Sequence, residues 1–363
     1  MYSGGGLNRI FSIAEKRRQF VARWIGLVVL SLTLLGCAKR LEPSMVPDEI
    51  HQAQTEDGWT LPVRRYKGEG PTVILMHGMA ANHTNWDFRP EVSPVDELVE
   101  AGYDVWVPSL RGDGGTTPPR ARGRTRIDFD DHAILDVPAI LQVIDDKSPG
   151  KGRFWVGHSM GGMLLYTTLI RHPDWLTAGI AIASPAAFEH PIRNHKVARA
   201  LGFFFSAGRG RIPMRPFAPM LVGSRLAVKQ VGNPDLLDRA IVAGMAKYTL
   251  QNLPRATARQ ARRWLLAREF VNRSGDAWLP SVTENSAPIM VLGAPGDHIA
   301  SEPDVAAACE KFSHCIYGVL GKSQGFAGDY GHIDPIVGTT APDEVYPMIF
   351  RFLGQNGGIS TAN

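Results

Sequence analysis

The feature that most constrains this chain is a set of short, uninterrupted apolar runs: Val73-Ile74-Leu75-Met76, Val105-Trp106-Val107, Phe154-Trp155-Val156, Ile180-Ala181-Ile182 and Ile289-Met290-Val291-Leu292, each separated from the next by enough chain for a helix. A strand with one wet face alternates apolar and polar residues. A continuous run is a strand buried on both faces, which calls for helices on both sides of a mostly parallel sheet. The spacing predicts strands over 72–76, 104–108, 153–156, 178–183, 288–292 and 315–319, and helices over 95–101, 130–146, 160–171, 303–312 and 343–353. The expected fold class is therefore α/β. With 363 residues, 44% of them apolar, the chain is long enough to bury such a core and still carry an insertion.

The alternation breaks over 187–286, where about a hundred residues stand in place of one connecting helix; this stretch is expected to be an inserted cap, flanked by core segments 55–186 and 287–363. It holds sixteen Lys and Arg against six Asp and Glu. Such segregation points to a cap facing something anionic, lipid head groups or an acidic substrate, or else to an ordinary solvated basic surface. Its apolar residues Phe203, Phe204, Phe205, Met214, Phe217, Met220, Leu221 and Trp264 could line an acyl pocket or form the cap's own core.

At the N-terminus, Lys16, Arg17, Arg18 and Arg23 precede an apolar run from Trp24 to Leu35. That is the charged-then-apolar order of an export signal, too short to span a bilayer comfortably as a mature helix. The run ends in Leu34-Leu35-Gly36-Cys37, which resembles the lipobox of bacterial lipoproteins. The resemblance implies a signal over 1–36, diacylation of Cys37, and a tether over 37–54, placing the protein in the cell envelope, anchored by lipid to the outer membrane and facing the periplasm. An uncleaved anchor would also put the remainder outside the cytoplasm. Beyond residue 36 the charges balance, 34 against 34, so the basic excess of the whole chain belongs to the signal. In an oxidising compartment Cys309 and Cys315, six apart, can form a disulfide; two buried thiols are the alternative.

Gly157-His158-Ser159-Met160-Gly161 lies directly between an apolar strand and an apolar helix. A serine on so sharp a turn needs small neighbours, and it sits at a helix N-terminus that favours developing negative charge. Its hydroxyl needs a base and an orienting acid. Asp297, following the strand over 288–292, and His332, in Asp329-Tyr330-Gly331-His332-Ile333-Asp334, occur downstream in the order Ser, Asp, His. Asp334 is a second candidate for the acid and His298 for the base, whereas His77 and His158 are expected to make local contacts. The oxyanion is expected to rest on the N–H groups of Met160 and of Met79, in the loop after the first apolar run.

These residues, together with Ala101-Gly102-Tyr103-Asp104-Val105-Trp106, Leu110-Arg111-Gly112 and His332-Ile333-Asp334-Pro335-Ile336-Val337-Gly338, resemble the α/β-hydrolase superfamily across 55–355, and within it the acid lipase branch. A looser likeness runs to polyhydroxyalkanoate synthases and depolymerases, though the synthases use cysteine where Ser159 stands. The resemblance implies an α/β-hydrolase fold with an inserted cap and a serine hydrolase acting on a small-molecule or lipid ester. An acyltransferase, a polyester-related hydrolase, or a binding lipoprotein without turnover are its rivals. No cofactor fingerprint, metal-ligand spacing or nucleic-acid site is expected, and Arg111-Gly112-Asp113 is read as a strand-end turn rather than an adhesion tripeptide.

Overall fold

The apolar runs become neighbours in one sheet. In the computed structural model the described residues are 46–88, 90–119, 126–190, 208–279 and 287–359. Their strands are β1 (Glu49–Gln54), β2 (Thr60–Tyr66), β3 (Thr72–Met76), β4 (Asp104–Pro108), β5 (Arg153–His158), β6 (Ala178–Ile182), β7 (Arg211–Ile212), β8 (Leu253–Pro254), β9 (Ile289–Gly293) and β10 (Cys315–Val319). Eight form the main sheet in the order β1-β2-β4-β3-β5-β6-β9-β10, and β7 and β8 pair separately. From β4 to β10 every pairing is parallel; only β1–β2 and β2–β4 are antiparallel.

The helices used below are α1 (Pro94–Glu100), α2 (Val137–Lys147), α3 (Met160–Arg171), α4 (Arg239–Gly244), α5 (Arg255–Ala267), α6 (Glu302–Ala306) and α7 (Tyr346–Gln355). Residues along each strand point alternately to opposite faces. Ile74 and Met76 accordingly pack with Ile140 and Ile144 of α2 and Leu164 and Leu165 of α3. Val73 and Leu75 pack with Val95 and Leu98 of α1 and Ile349 and Phe352 of α7. With helices on both faces no strand position is left for a polar side chain, which is why the run is unbroken.

Four strands, β1, β2, β7 and β8, were not expected. Residues 49–54 fall in the predicted tether, yet Glu49–Gln54 pairs along its whole length with β2. As an edge strand it buries little beyond Ala53, so Glu-Ile-His-Gln-Ala-Gln carries no apolar signature. The helix expected over 130–146 is also not one regular rod: a turn at Phe129–Asp131 and a widened stretch at His132–Asp136 precede α2. Within that stretch the Asp136 carboxylate accepts from the Arg111 backbone N–H at 3.0 Å and Nε at 2.7 Å, and contacts His132 Nδ1 at 2.9 Å. Arg111 is 1% exposed and also paired with Asp57, so its Arg-Gly-Asp sequence is unavailable for adhesion.

The segment between β6 and β9, where described, includes α4 and α5 and lies against the loops that leave the sheet. Gln251 N–H donates to Ala80 O at 2.8 Å, Asn82 Nδ2 to Tyr248 O at 2.9 Å, and Ile333 N–H to Val231 O at 3.0 Å. Arginines of this segment also bind within the protein. Arg273 pairs with Asp128 and Asp131, and Arg259 donates to Gly208 O. Cys309 and Cys315 are joined as a disulfide across a Cα–Cα distance of 5.1 Å. Among the described residues no helix is long and apolar enough to cross a membrane; the run 24–35 and Cys37 lie outside them.

Candidate active site

Parallel strands all end at one edge of the sheet, so the loops after β3, β5, β9 and β10 converge there. Ser159 is the residue between β5 and α3, at φ +54°, ψ −119°, a conformation costly for a non-glycine residue. The turn closes only because its flanks lack side chains. A Cβ on Gly157 would sit 2.3 Å from Gly161 O, and one on Gly161 would sit 2.1 Å from Met76 O. Gly161→Ala is therefore expected to lose at least about 1–3 kcal/mol of stability by overpacking, read from the denaturant midpoint.

His332 Nε2 lies 3.0 Å from Ser159 Oγ, and His332 Nδ1 lies 2.7 Å from Asp297 Oδ2. The other Asp297 oxygen accepts the N–H groups of Ile299 at 2.7 Å and Ala300 at 2.9 Å, leaving the carboxylate one orientation. Gly296 N–H donates to Tyr330 O at 2.9 Å, tying the loop that carries Asp297 to the one that carries His332.

Asp334, the other candidate acid, is engaged elsewhere. Its Oδ2 accepts from Gly331 N–H at 2.6 Å and from Asn233 N–H, in the inserted segment, at 2.7 Å. Burial outweighs these two donors and pushes its carboxyl up to about 7. The structure thus brings Ser159, His332 and Asp297 together and leaves Asp334 holding the histidine loop.

The two local histidines have defined tasks. His158 is fully enclosed, and burial, with the nearby His332, lowers it to about 3, so its ring stays neutral. Its Nε2 lies 2.9 Å from His332 O, and the neutral tautomer with hydrogen on Nε2 donates there, gripping the backbone of the third site residue. His77 Nδ1 lies 2.9 Å from Gly78 O while Leu110 N–H approaches its Nε2 at 3.3 Å. With hydrogen on Nδ1 the ring holds the Gly78 carbonyl, and the trans peptide turns the Met79 N–H away from the ring. Met160 opens α3, so its N–H has no partner within the helix.

Residues 71–339 match the family model described as the alpha/beta hydrolase fold. The chain belongs to the α/β-hydrolase fold family. Human gastric triacylglycerol lipase is 26% identical over 359 residues, covering 85% of this chain and 88% of the lipase, and the bovine gastric lipase is 25% identical over 358 residues, covering 85% and 89%. A thermophilic esterase from Thermogutta terrifontis with malate bound superposes with a TM-score of 0.59 at 18% identity, over 85% of this chain and 99% of the esterase, a likeness of fold.

In this α/β-hydrolase a cavity of about 360 Å³ opens beside Ser159 and His332. Apart from Asn85, His158, Ser159, Thr249 and His332 its wall is apolar, with Val231, Val242, Met245, Ala246 and Leu250 contributed by the inserted segment. Of the residues named for an acyl pocket, Met214 lines this cavity. Trp264 does not: it is 1% exposed and packs edge-on against Phe129 and Phe270, with its Nε1–H donating to Val271 O at 2.7 Å. Phe203, Phe204 and Phe205 and the side chains of Phe217, Met220 and Leu221 lie outside the described parts. The valines and Met245 gave no sequence signal, because an isolated apolar residue in a turn or short helix reads the same whether it faces a cavity or a core.

Proposed function

We propose that this chain is a lipid-anchored serine hydrolase that cleaves carboxylic esters of the lipase or esterase type through an acyl-enzyme on Ser159. The observation that carries this reading is the array from Asp297 through His332 to Ser159, with 2.7 and 3.0 Å steps, opening on an apolar cavity. In the first step His332 Nε2 takes the Ser159 proton as Oγ bonds to the acyl carbon. The carbonyl oxygen, now negative, accepts hydrogen bonds from the Met79 and Met160 N–H groups. Collapse of this intermediate breaks the bond to the alcohol oxygen, which leaves with the proton held on His332. Water then gives a proton to His332 and attacks the acyl carbon, and Ser159 recovers its hydrogen as the acid departs. Asp297 stays ionised and keeps the ring aimed.

Similarity to the gastric lipases along most of both chains supports an ester with an apolar chain as substrate. The test is hydrolysis of p-nitrophenyl esters of graded chain length, with covalent labelling by a fluorophosphonate. Failure of both the turnover and the label would leave a binding lipoprotein, and transfer of a labelled acyl group mainly to alcohol would indicate an acyltransferase.

The lipid anchor belongs to the same proposal, through diacylation of Cys37, as does residence at the periplasmic face of the outer membrane. Cys37→Ser is expected to move the protein from the membrane pellet to the soluble fraction, or to leave an uncleaved precursor. Equal recovery of wild type and variant in the pellet, with both processed to the same mass, would count against the anchor. The exposed Arg259 and Arg263 of α5 support contact between the inserted segment and anionic lipid. The Cys37→Ser protein should prefer anionic over zwitterionic vesicles only at low salt, since screening shortens from about 10 Å at 0.1 M to about 3 Å at 1 M.

A further inference from the structure

Two polar side chains on the cavity wall, Asn85 and Thr249, have hydrogen-bonding capacity of opposite kinds left over. Asn85 lies in the loop after β3 and Thr249 in the inserted segment; both line the cavity and both are almost completely buried, at 2% and 3% exposure. Thr249 Oγ1 is 2.8 Å from Oγ1 of Thr84, the residue before Asn85 in the chain.

The direction of that contact follows from its neighbours. Asn82 Nδ2 donates to Tyr248 O, which sets its Oδ1 to accept, and Oδ1 accepts both the Thr84 N–H at 3.0 Å and the Thr84 hydroxyl at 2.7 Å. With its one proton so used, Thr84 must accept from Thr249. The Thr249 hydroxyl therefore has no proton to offer a ligand and presents only lone pairs. Asn85 is the converse: its Nδ2 is buried with no hydrogen-bond partner among the described residues. A buried amide donor without an acceptor is costly, and apart from His158, Ser159 and His332 the other residues of this wall are apolar.

A donor without an acceptor and an acceptor without a donor, both lining one cavity, are together the complement of a hydroxyl group. We propose that Asn85 and Thr249 form a subsite for a hydroxyl carried on the chain of the ester, accepting from Asn85 Nδ2 and donating to Thr249 Oγ1. The substrate class is then hydroxy-substituted esters, in preference to plain esters of equal length. This subsite rests on the ester-hydrolase reading only for its consequence in turnover; its consequence in binding is separate.

The hydroxyl can come from the acyl chain or from the alcohol chain, and paired substrates distinguish the two. The full chain would be assayed on ethyl octanoate against ethyl hydroxyoctanoates differing in hydroxyl position, and on octyl acetate against the matching hydroxyoctyl acetates. One hydroxylated series should exceed its plain partner by about ten- to a hundredfold in kcat/KM, because each lost partner leaves a buried polar group unpaired. Asn85→Leu and the near-isosteric Thr249→Val should each bring that ratio towards one; being a ratio, it is insensitive to a general loss of folded enzyme.

The same preference should appear without turnover, as tighter binding of a hydroxyoctanoate than of octanoate to Ser159→Ala, read by calorimetry. A ratio near one in both series, together with equal binding, would overturn the subsite, as would a preference that survives both substitutions. A binding preference without any ester hydrolysis or fluorophosphonate labelling would instead retain the subsite and remove the hydrolase reading.

Discussion

Ser159→Ala is expected to reduce kcat for ester hydrolysis by on the order of 10⁶, the scale on which nucleophile removal acts when serine, base and acid work as a unit. Stability should hardly change, because the hydroxyl reaches only His332 Nε2 at 3.0 Å and the bonds that keep the turn are backbone ones. Ser159 N–H donates to Ile182 O at 2.9 Å, and Ser159 O accepts from Gly162 N–H at 3.0 Å. An alanine keeps both. The measurement pairs kcat with the thermal midpoint. Retention of a tenth of kcat would remove Ser159 as the nucleophile, whereas a large fall in the midpoint would mean that activity was lost through the fold.

The second expected result separates two buried carboxylates in neighbouring loops. Asp297→Asn should cost on the order of 10⁴ in kcat, since an amide cannot hold His332 in the tautomer that leaves Nε2 free to take the serine proton. Asp334→Asn should have little effect on kcat, because the amide oxygen can still accept from Gly331 and Asn233. Stability should distinguish the variants in the opposite sense. Asp334 has its folded pKa raised from 3.8 to about 7 by burial. The folded state thus keeps a proton that the unfolded chain releases, and stability from this group falls as pH rises between about 4 and 7. Asp334→Asn removes that slope, so its urea midpoint should drop less between pH 4 and pH 8 than that of the wild type. A severe loss of kcat in Asp334→Asn with a nearly normal Asp297→Asn would reverse the two assignments.

These experiments depend on residues whose legibility differed widely. The parallel strands and the turn at Ser159 could be read directly, because burial on both faces and a turn too tight for side chains each leave a local mark: unbroken apolar runs in one case, Gly157 and Gly161 around the serine in the other. The order Ser159, Asp297, His332 was legible for a related reason, since each follows a strand and parallel strands must end at one edge. Edge strand β1 left no such mark. Its outer face meets water, so its residues were free to be polar and its pairing with β2 shows only in three dimensions.

The sequence by itself therefore determined the parallel part of the sheet, the turn that presents Ser159, and the loops from which a base and an acid would come. Tertiary structure alone decided which of Asp297 and Asp334 faces His332, that His158 and His77 hold backbone carbonyls, that Trp264 belongs to a core rather than the cavity, and that Asn85 and Thr249 line one cavity. The physical reason is the range of the interactions. Strand burial and turn sterics act between residues close in the chain, so composition records them locally. Hydrogen bonds at the site join residues up to 174 apart, and a polar side chain looks the same in sequence whichever partner it meets.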